Sequence, residues 1–385
     1  MKYQMAIRAI AFCAIFVMSS GYAYAADDAA RTAAKQAFII DYDTGAVLFE
    51  KSADQQMPTS SMSKVMTMYL VFDALKKGGI SLNDTLLVSK KAWQKGGSKM
   101  FVPVGEQVKV EDLIRGVIIQ SGNDATIVLA EGLAGDEVSF AAALNAKAKE
   151  LGMNNSHFMN ASGWPDPDHY STARDLSILA ISMIQNFPEY YKYYAEAEFS
   201  YNGIKQENRN PLLKKSIGAD GLKTGHTDIG GYGLIGTGVK DGRRVVMVLN
   251  GMDSKKQRAS ESTRLLQWAL NGFRNITLFD KSNALGSVPV YFGQKSSVKV
   301  GAEHSVSLTV PKLFENELKV ELIYNAPLKA PFAKGEEVGV VRVHIPRGKP
   351  VDIPLVTTED VDEMGFFSKL VAKARLLTTG EGHFN

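Results

Sequence analysis

The chain has 385 residues, 45% hydrophobic and 22% charged, a balance that builds globular domains with a sizeable core and argues against extensive disorder. A formal charge of +3 gives no basic footprint of the kind a nucleic-acid binder carries. The single cysteine, Cys13, excludes an intrachain disulfide, and the six histidines lack the spacing of a zinc enzyme, so neither metal nor cofactor is expected.

Residues 1–25 read as a cleavable secretory signal. Lys2 and Arg8 precede the apolar run Ala9 to Val17, and small residues end the segment at Ala23-Tyr24-Ala25. The run is too short to span a bilayer comfortably. Cleavage after Ala25 removes Cys13 and two positive charges, leaving a net charge of +1.

From residue 26 to 274 helical and strand patterns mix. Ala37 to Ile40 and Ala46 to Phe49 form a hairpin around Asp43-Thr44-Gly45. After Pro58, the spacing of Val65, Met66, Tyr69, Phe72 and Leu75 predicts a helix that stops at Gly78-Gly79. A second helix runs from Asp136 to Leu151. Tyr232 to Val239 and Arg244 to Asn250 flank an Asp241-Gly242 turn, the strongest short-range hairpin signal, and a helix from about Ser260 to Phe273 closes the region. Strands at both ends with helices between them imply one sheet covered by helices. Residues 275–357 switch to short alternating runs, such as Ser305 to Val310, Lys319 to Tyr324 and Val338 to Ile345, which predict a separate small all-β domain. Residues 358–385 then place Met364, Phe367, Leu370, Val371, Ala374 and Leu377 on one helical face, with Lys369, Lys373 and Arg375 elsewhere, as in helices that lie in a membrane interface.

Three short motifs carry the chemistry: Ser61-Met62-Ser63-Lys64 at a helix start, Ser121-Gly122-Asn123 interrupting helical pattern, and Lys223-Thr224-Gly225 leading into a strand pair. Singly each is weak. Ser296 with Lys299, and Ser200-Tyr201-Asn202, satisfy the first two patterns elsewhere, but out of order or context. Residues three apart on a helix share a face, so Lys64 reaches the Ser61 hydroxyl. A serine needs an adjacent base, and lysine serves as one only when burial or a second cation lowers its pKa. Lys223 is the expected second cation, and the helix N-terminus at Ser61 favours developing negative charge.

The order SMSK, SGN, KTGHT resembles the penicillin-binding proteins and serine β-lactamases. The segments NASGWPDPDHYSTARDL, NRNPLL and DGLKTGHTDIGGYGL are similar to the low-molecular-mass D-alanyl-D-alanine carboxypeptidases, as is the order of signal, catalytic domain, β domain and amphipathic tail. The resemblance implies an α/β (α+β) fold: a β-lactamase/transpeptidase-like catalytic domain with an antiparallel sheet covered by helices, then a small β-sandwich-like domain and a membrane-anchoring helix. It implies a periplasmic enzyme, held on the outer face of the inner membrane, that takes peptidoglycan stem peptides as substrates and β-lactams as covalent inhibitors. Ser61 is the implied nucleophile and Lys64 its base. Ser121 passes a proton to the leaving amine, and Asn123 positions Lys64 and substrate. Lys223 and Thr224, in a motif with Gly225, hold the terminal carboxylate, and the backbone N–H groups of Ser61 and His226 form the oxyanion hole. Arg209 and Arg258 match positions near the carboxylate end, although Pro211 stands where the family usually has glycine. His169 has a structural role.

Three rival readings are weaker. A β-lactamase of the most similar class needs an activating glutamate, and Asn154 to Gly163 contains no acid. An endopeptidase would use the same residues. A non-catalytic wall-binding scaffold has no need of a lysine beside a serine.

Overall fold

The computed structural model describes residues 31–280, 284–325, 327–346 and 348–379. The expected signal segment, Cys13 included, lies outside the described residues.

The first unit opens with the hairpin β1 (Gln36–Asp41) and β2 (Val47–Lys51), and a 3-10 turn at Ser60–Ser63 runs into α1 (Lys64–Lys76). There follow β3 (Thr85–Leu87), α2 (Lys90–Gln94), β4 (Gln107–Lys109), α3 (Val110–Ile118), α4 (Asn123–Ala134), α5 (Glu137–Glu150), α6 (Ala173–Asn186) and α7 (Pro188–Tyr191). The unit closes with β5 (Glu198–Tyr201), β6 (Ile204–Glu207), β7 (Ala219–Thr227), β8 (Gly231–Lys240), β9 (Arg243–Met252) and α8 (Lys255–Gly272).

Local chemistry explains the boundaries. Asp136 caps α5 by accepting from the Ser139 amide. Asp241 and Gly242 both take positive φ, which matches the two-residue hairpin turn expected there. Helix α8 begins five residues before the predicted start at Ser260, because Ser254 caps it through the Gln257 amide while Lys255, Lys256 and Gln257 carry no apolar signal.

The main sheet has the order β2-β1-β9-β8-β7, antiparallel throughout. Alternate residues of its central strand serve two cores. Val246 and Val248 face the cluster built with α1, α3, α4 and α6, whereas Val245, Met247 and Leu249 face α8. Both faces are covered, so the strand reads as a continuous apolar run.

The second unit contains β10 (Phe273–Phe279), β11 (Gly286–Tyr291), β12 (Ser297–Ala302), β13 (Val306–Pro311), β14 (Lys319–Tyr324), β15 (Leu328–Lys329), β16 (Glu337–His344) and β17 (Val351–Thr357). Six of these strands make a sheet of order β14-β16-β17-β12-β11-β15, and β10 pairs with β13. Its core, including Val298, Val300, Val341 and Leu355, is its own. A polar joint meets the first unit: Asn275 donates to buried Asp41 at 3.1 Å, and Asp41 is paired with Arg243 at 2.6 Å. The final helix, α9, covers Phe366–Thr379.

Candidate active site

The turn that carries Ser61 sits where α1 meets β7. Ser60 takes φ +52, and Gly163 of a neighbouring loop lies so close that a Cβ there would come within 1.8 Å of the Ser60 carbonyl. A second glycine is dictated from the other side. A Cβ on Gly225 would come within 2.8 Å of the Thr59 carbonyl, so only glycine lets β7 run this close to the nucleophile turn. Ser61 itself lies in the 3-10 turn, with the α-helix beginning at Lys64, so the expected α-helical N-terminus at Ser61 is displaced by one turn.

Lys64 is fully buried. Its Nζ donates to Ser61 Oγ at 2.9 Å, to Asn123 Oδ1 at 2.7 Å and to the Ser162 carbonyl at 2.6 Å. Burial, then the charges of Arg209 and Lys95, push its pKa down to about 7, against a small upward pull from Asp124. Arg209 and Lys95 thus join the expected Lys223 as cations near Lys64. Lys223 is buried beside it on β7: its best acceptor is the Thr224 carbonyl at 3.3 Å, and desolvation, then Lys64, Arg209 and Arg258, hold its amine well below the usual lysine range. The two amines repel each other, so each disfavours the charge of the other.

Ser121 and Asn123 lie between and at the start of α3 and α4 respectively. Ser121 takes φ +62, and its Oγ is buried with no hydrogen-bond partner among the described residues. Asn123 commits its amide nitrogen to the Gly96 carbonyl at 2.8 Å, which leaves Oδ1 for Lys64. Beside it, buried Asp124 gathers the amides of Met100 and Phe101, each at 2.8 Å, and so ties the segment before β4 over the site.

The remaining residues line the β7 side. Thr224 is buried, and His226 is exposed with its ring 3.9 Å from that of Tyr232 on β8. Arg258, buried on α8, donates to the Gly225 carbonyl at 3.3 Å, and its Nε has no partner among the described residues. Arg209 donates to Ser98 Oγ at 2.5 Å across the cleft. The asparagines around it hold that segment: Asn210 Nδ2 donates to the Gly221 carbonyl of β7 at 2.8 Å, and Asn208 Oδ1 accepts from the Asn210 amide at 3.0 Å. Pro211 disturbs nothing here. It opens the one-turn 3-10 helix Pro211–Lys214, where a missing N–H is tolerated.

Hydrogen bonds and mutual charge fields tie together Ser61, Lys64, Asn123, Lys223, Gly225, Arg209 and Arg258, with Ser121, Thr224 and His226 on the same segments, and the structure adds four groups that sequence reasoning missed. These are the Ser162 carbonyl, the Gly96 carbonyl, Ser98 and Asp124. The first two are backbone acceptors and have no side-chain signature; Asp124 follows directly on Ser121-Gly122-Asn123, and its burial was the missing signal. His169 has the structural role expected. Its Nδ1 accepts from the Met159 amide at 3.2 Å, so its Nε2–H donates to Ser63 Oγ at 2.8 Å, and burial lowers its pKa to about 4. The decoys fall elsewhere: Tyr201 and Asn202 end the β5 hairpin, and Lys299 lies on β12. Among the described residues no cluster of histidines and acids could hold a metal.

Residues 23–254 match the family model described as D-alanyl-D-alanine carboxypeptidase, and residues 273–363 match that of the penicillin-binding protein 5 C-terminal domain. The chain is 37% identical to the D-alanyl-D-alanine carboxypeptidase DacA of Haemophilus influenzae, over 94% of this chain and 95% of that one. In structure it is similar to the D-alanyl-D-alanine carboxypeptidase DacD of Francisella tularensis, with a TM-score of 0.79 and 32% identity over 86% of this chain and 94% of that one. It is also similar to penicillin-binding protein D2 of Listeria monocytogenes in its ampicillin-bound form, with a TM-score of 0.57 and 30% identity over 61% of this chain and 97% of that one. The motif geometry and these matches agree: the chain belongs to the D-alanyl-D-alanine carboxypeptidase family.

Proposed function

We propose that Ser61 is the nucleophile and Lys64 the base of this serine D-alanyl-D-alanine carboxypeptidase. The observation that carries the reading is the partner set of Lys64. Asn123 Oδ1 and the Ser162 carbonyl only accept, so a neutral Lys64 gives its two N–H bonds to them and aims its lone pair at Ser61 Oγ, the one partner with a proton to give. A pKa of about 7 keeps roughly half the amine in that form at neutral pH.

In the proposed cycle Lys64 takes the Ser61 proton as Oγ bonds to the carbonyl carbon of the penultimate D-alanine. The oxyanion is held by the backbone N–H groups of Ser61 and His226. The C–N bond then breaks, and the terminal D-alanine leaves as an amine after receiving a proton through Ser121, whose unpartnered hydroxyl suits a relay. Water hydrolyses the Ser61 ester and restores the enzyme. Lys223, Thr224, Arg209 and Arg258 receive the terminal carboxylate; an anion beside Lys223 raises its depressed pKa and favours its charged form. β-Lactams acylate Ser61 by the same step, and with no acid between Asn154 and Gly163 the adduct is released slowly.

We further propose a catalytic unit over residues 26–274, a β unit over 275–357 and an anchoring tail over 358–385, in a protein exported to the periplasm by residues 1–25. The tail reading is supported by the exposure of Phe366, Phe367, Leu370, Val371 and Leu377 on α9, which packing against the β unit would have buried. No helix among the described residues is long and apolar enough to cross a membrane, in keeping with binding at the surface of the inner membrane.

The test is direct. The mature protein releases D-alanine from a pentapeptide ending in D-Ala-D-Ala and carries one penicillin adduct, and Ser61→Ala loses both while remaining folded. An adduct on another serine overturns the assignment.

A further inference from the structure

The β unit leaves one long edge open. In its sheet order β14-β16-β17-β12-β11-β15, one end is the two-residue strand β15. The other is β14, whose six residues pair with β16 on one side and with no described strand on the other. Such an edge presents unpaired backbone N–H and C=O groups that can accept a further strand. Val320, Leu322 and Ile323 on it are exposed.

The sequence of this edge is self-complementary. Leu318-Lys319-Val320-Glu321-Leu322 reads the same from either end, except that lysine stands opposite glutamate. Leu318, between the 3-10 helix Lys312–Glu317 and β14, is already extended, so the whole run can pair as a strand. Laid antiparallel on a second copy with Val320 on the two-fold axis, Val320 meets Val320, Leu318 meets Leu322 and Lys319 meets Glu321. Side chains alternate between the faces, so the apolar pairs gather on one face and the two ion pairs on the other.

Both faces suit this pairing. On the apolar face Leu318 already packs against the core of the β unit, and Leu322 Cδ1 lies 3.6 Å from where a Cβ on Gly286 would stand, so a second strand extends that core. On the polar face Asp352 of β17 pairs with Arg342 of β16 at 2.6 Å, and Arg342 is in register with Glu321, which also has His344 Nε2 at 3.1 Å. Lys319 is exposed and has no ion-pair partner among the described residues. A lysine from the second copy beside Glu321 continues the alternation of sign across the edge.

We propose that β14 is an interface between two copies of this chain, joined antiparallel about Val320 into one continuous sheet. The contact is isologous, with the same patch on both sides. Moving the axis to Lys319 or Glu321 would set like charges opposite each other, so the charges also fix the register. A strand pair of this length is small beside an ordinary stable interface, and the dimer is a weak one.

The test uses residues 26–385, which contain no cysteine, in mild detergent so that the exposed helix α9 does not itself drive association. Lys319→Glu and Glu321→Lys each place two like-charged pairs across the axis. Each is expected to weaken self-association by about tenfold or more in sedimentation equilibrium, with an unchanged melting temperature. An equimolar mixture of the two restores opposite charges at both positions and associates like the unchanged protein, as does the Lys319→Glu/Glu321→Lys double variant. Val320→Cys sets two thiols opposite each other within disulfide reach and is expected to cross-link on mild oxidation. Ile323→Cys, about 20 Å from its copy at about 3.4 Å per residue, is not. Protein that stays monomeric at about 1 mM overturns the proposal. So does association that the single charge variants leave unchanged or that their mixture fails to restore, and so does equal cross-linking at positions 320 and 323.

Discussion

Asn123 turns its carbonyl oxygen to Lys64 at 2.7 Å because its amide nitrogen is committed to the Gly96 carbonyl at 2.8 Å. That relationship orients the lone pair of a neutral Lys64, so Asn123 acts on the nucleophile through the base. Asn123→Ala is expected to slow acylation by penicillin about a hundredfold, the lower range for a lost general base, with little change in KM. Asn123→Asp restores an acceptor but adds a negative charge, which raises the Lys64 pKa and moves the acid limb of the acylation rate to higher pH. Stopped-flow acylation across pH separates the two; an unchanged limb in the aspartate variant shows that Asn123 has no hold on Lys64.

Lys223 is buried with one weak acceptor, so its charge opposes folding. Because its folded pKa lies below its unfolded value, the unfolded chain binds more protons in the window between them, and stability rises with pH there. Lys223→Met is expected to raise the melting temperature by at least about 2 °C at pH 7 and to flatten that pH dependence. It also weakens peptides with a free terminal carboxylate far more than their amides. Thermal melts from pH 6 to 10 together with paired kinetics decide the matter, and equal losses on acid and amide would leave Lys223 without a carboxylate role.

Gly225 permits the closest approach of β7 to the nucleophile turn. In Gly225→Ala the new methyl meets the Thr59 carbonyl at 2.8 Å and Ser60 Cβ at 3.2 Å, both held by backbone. The strand and the turn must separate, at a cost of about 1–3 kcal/mol. The variant is expected to fold with a lower denaturation midpoint and to lose most D-alanine release. Full activity would mean that the spacing of β7 from Ser61 is not critical.

Helix α9 leaves its bulky apolar residues exposed, while Met364 is tied to the β unit through its amide and the Phe292 carbonyl at 2.8 Å. Removing residues 365–385 keeps that tie and deletes the helix. The truncated protein is expected in the soluble fraction with peptide hydrolysis intact, and the full chain to be partly released from anionic vesicles by salt. Truncated protein that still sediments with membranes contradicts the anchor.

What the sequence disclosed, and what it withheld, follows from the kind of signal each feature leaves. The hairpin at Asp241-Gly242, the helix from Asp136 and the serine and lysine of the first motif are local patterns, and local patterns are legible. Two covered faces made β9 an unbroken apolar run, so the sheet was readable as a sheet but its two cores were not. Distances between remote segments leave no trace in spacing. Lys223 was legible as a cation near Lys64, whereas Arg209 and Lys95, brought there from remote segments, were not. The Ser162 and Gly96 carbonyls, which complete the base and its positioner, belong to the backbone and carry no residue identity at all.

The central claim is that a neutral Lys64 takes the proton of Ser61, and the pH dependence of the single-turnover acylation of Ser61 by penicillin tests it most directly. Acylation is expected to fall tenfold per pH unit on the acid side, with an apparent pKa of about 7, and to be lost over the whole range in Lys64→Met. An acylation rate that is flat from pH 5.5 to 9, or one that titrates near the ordinary lysine value of about 10.4, would contradict it.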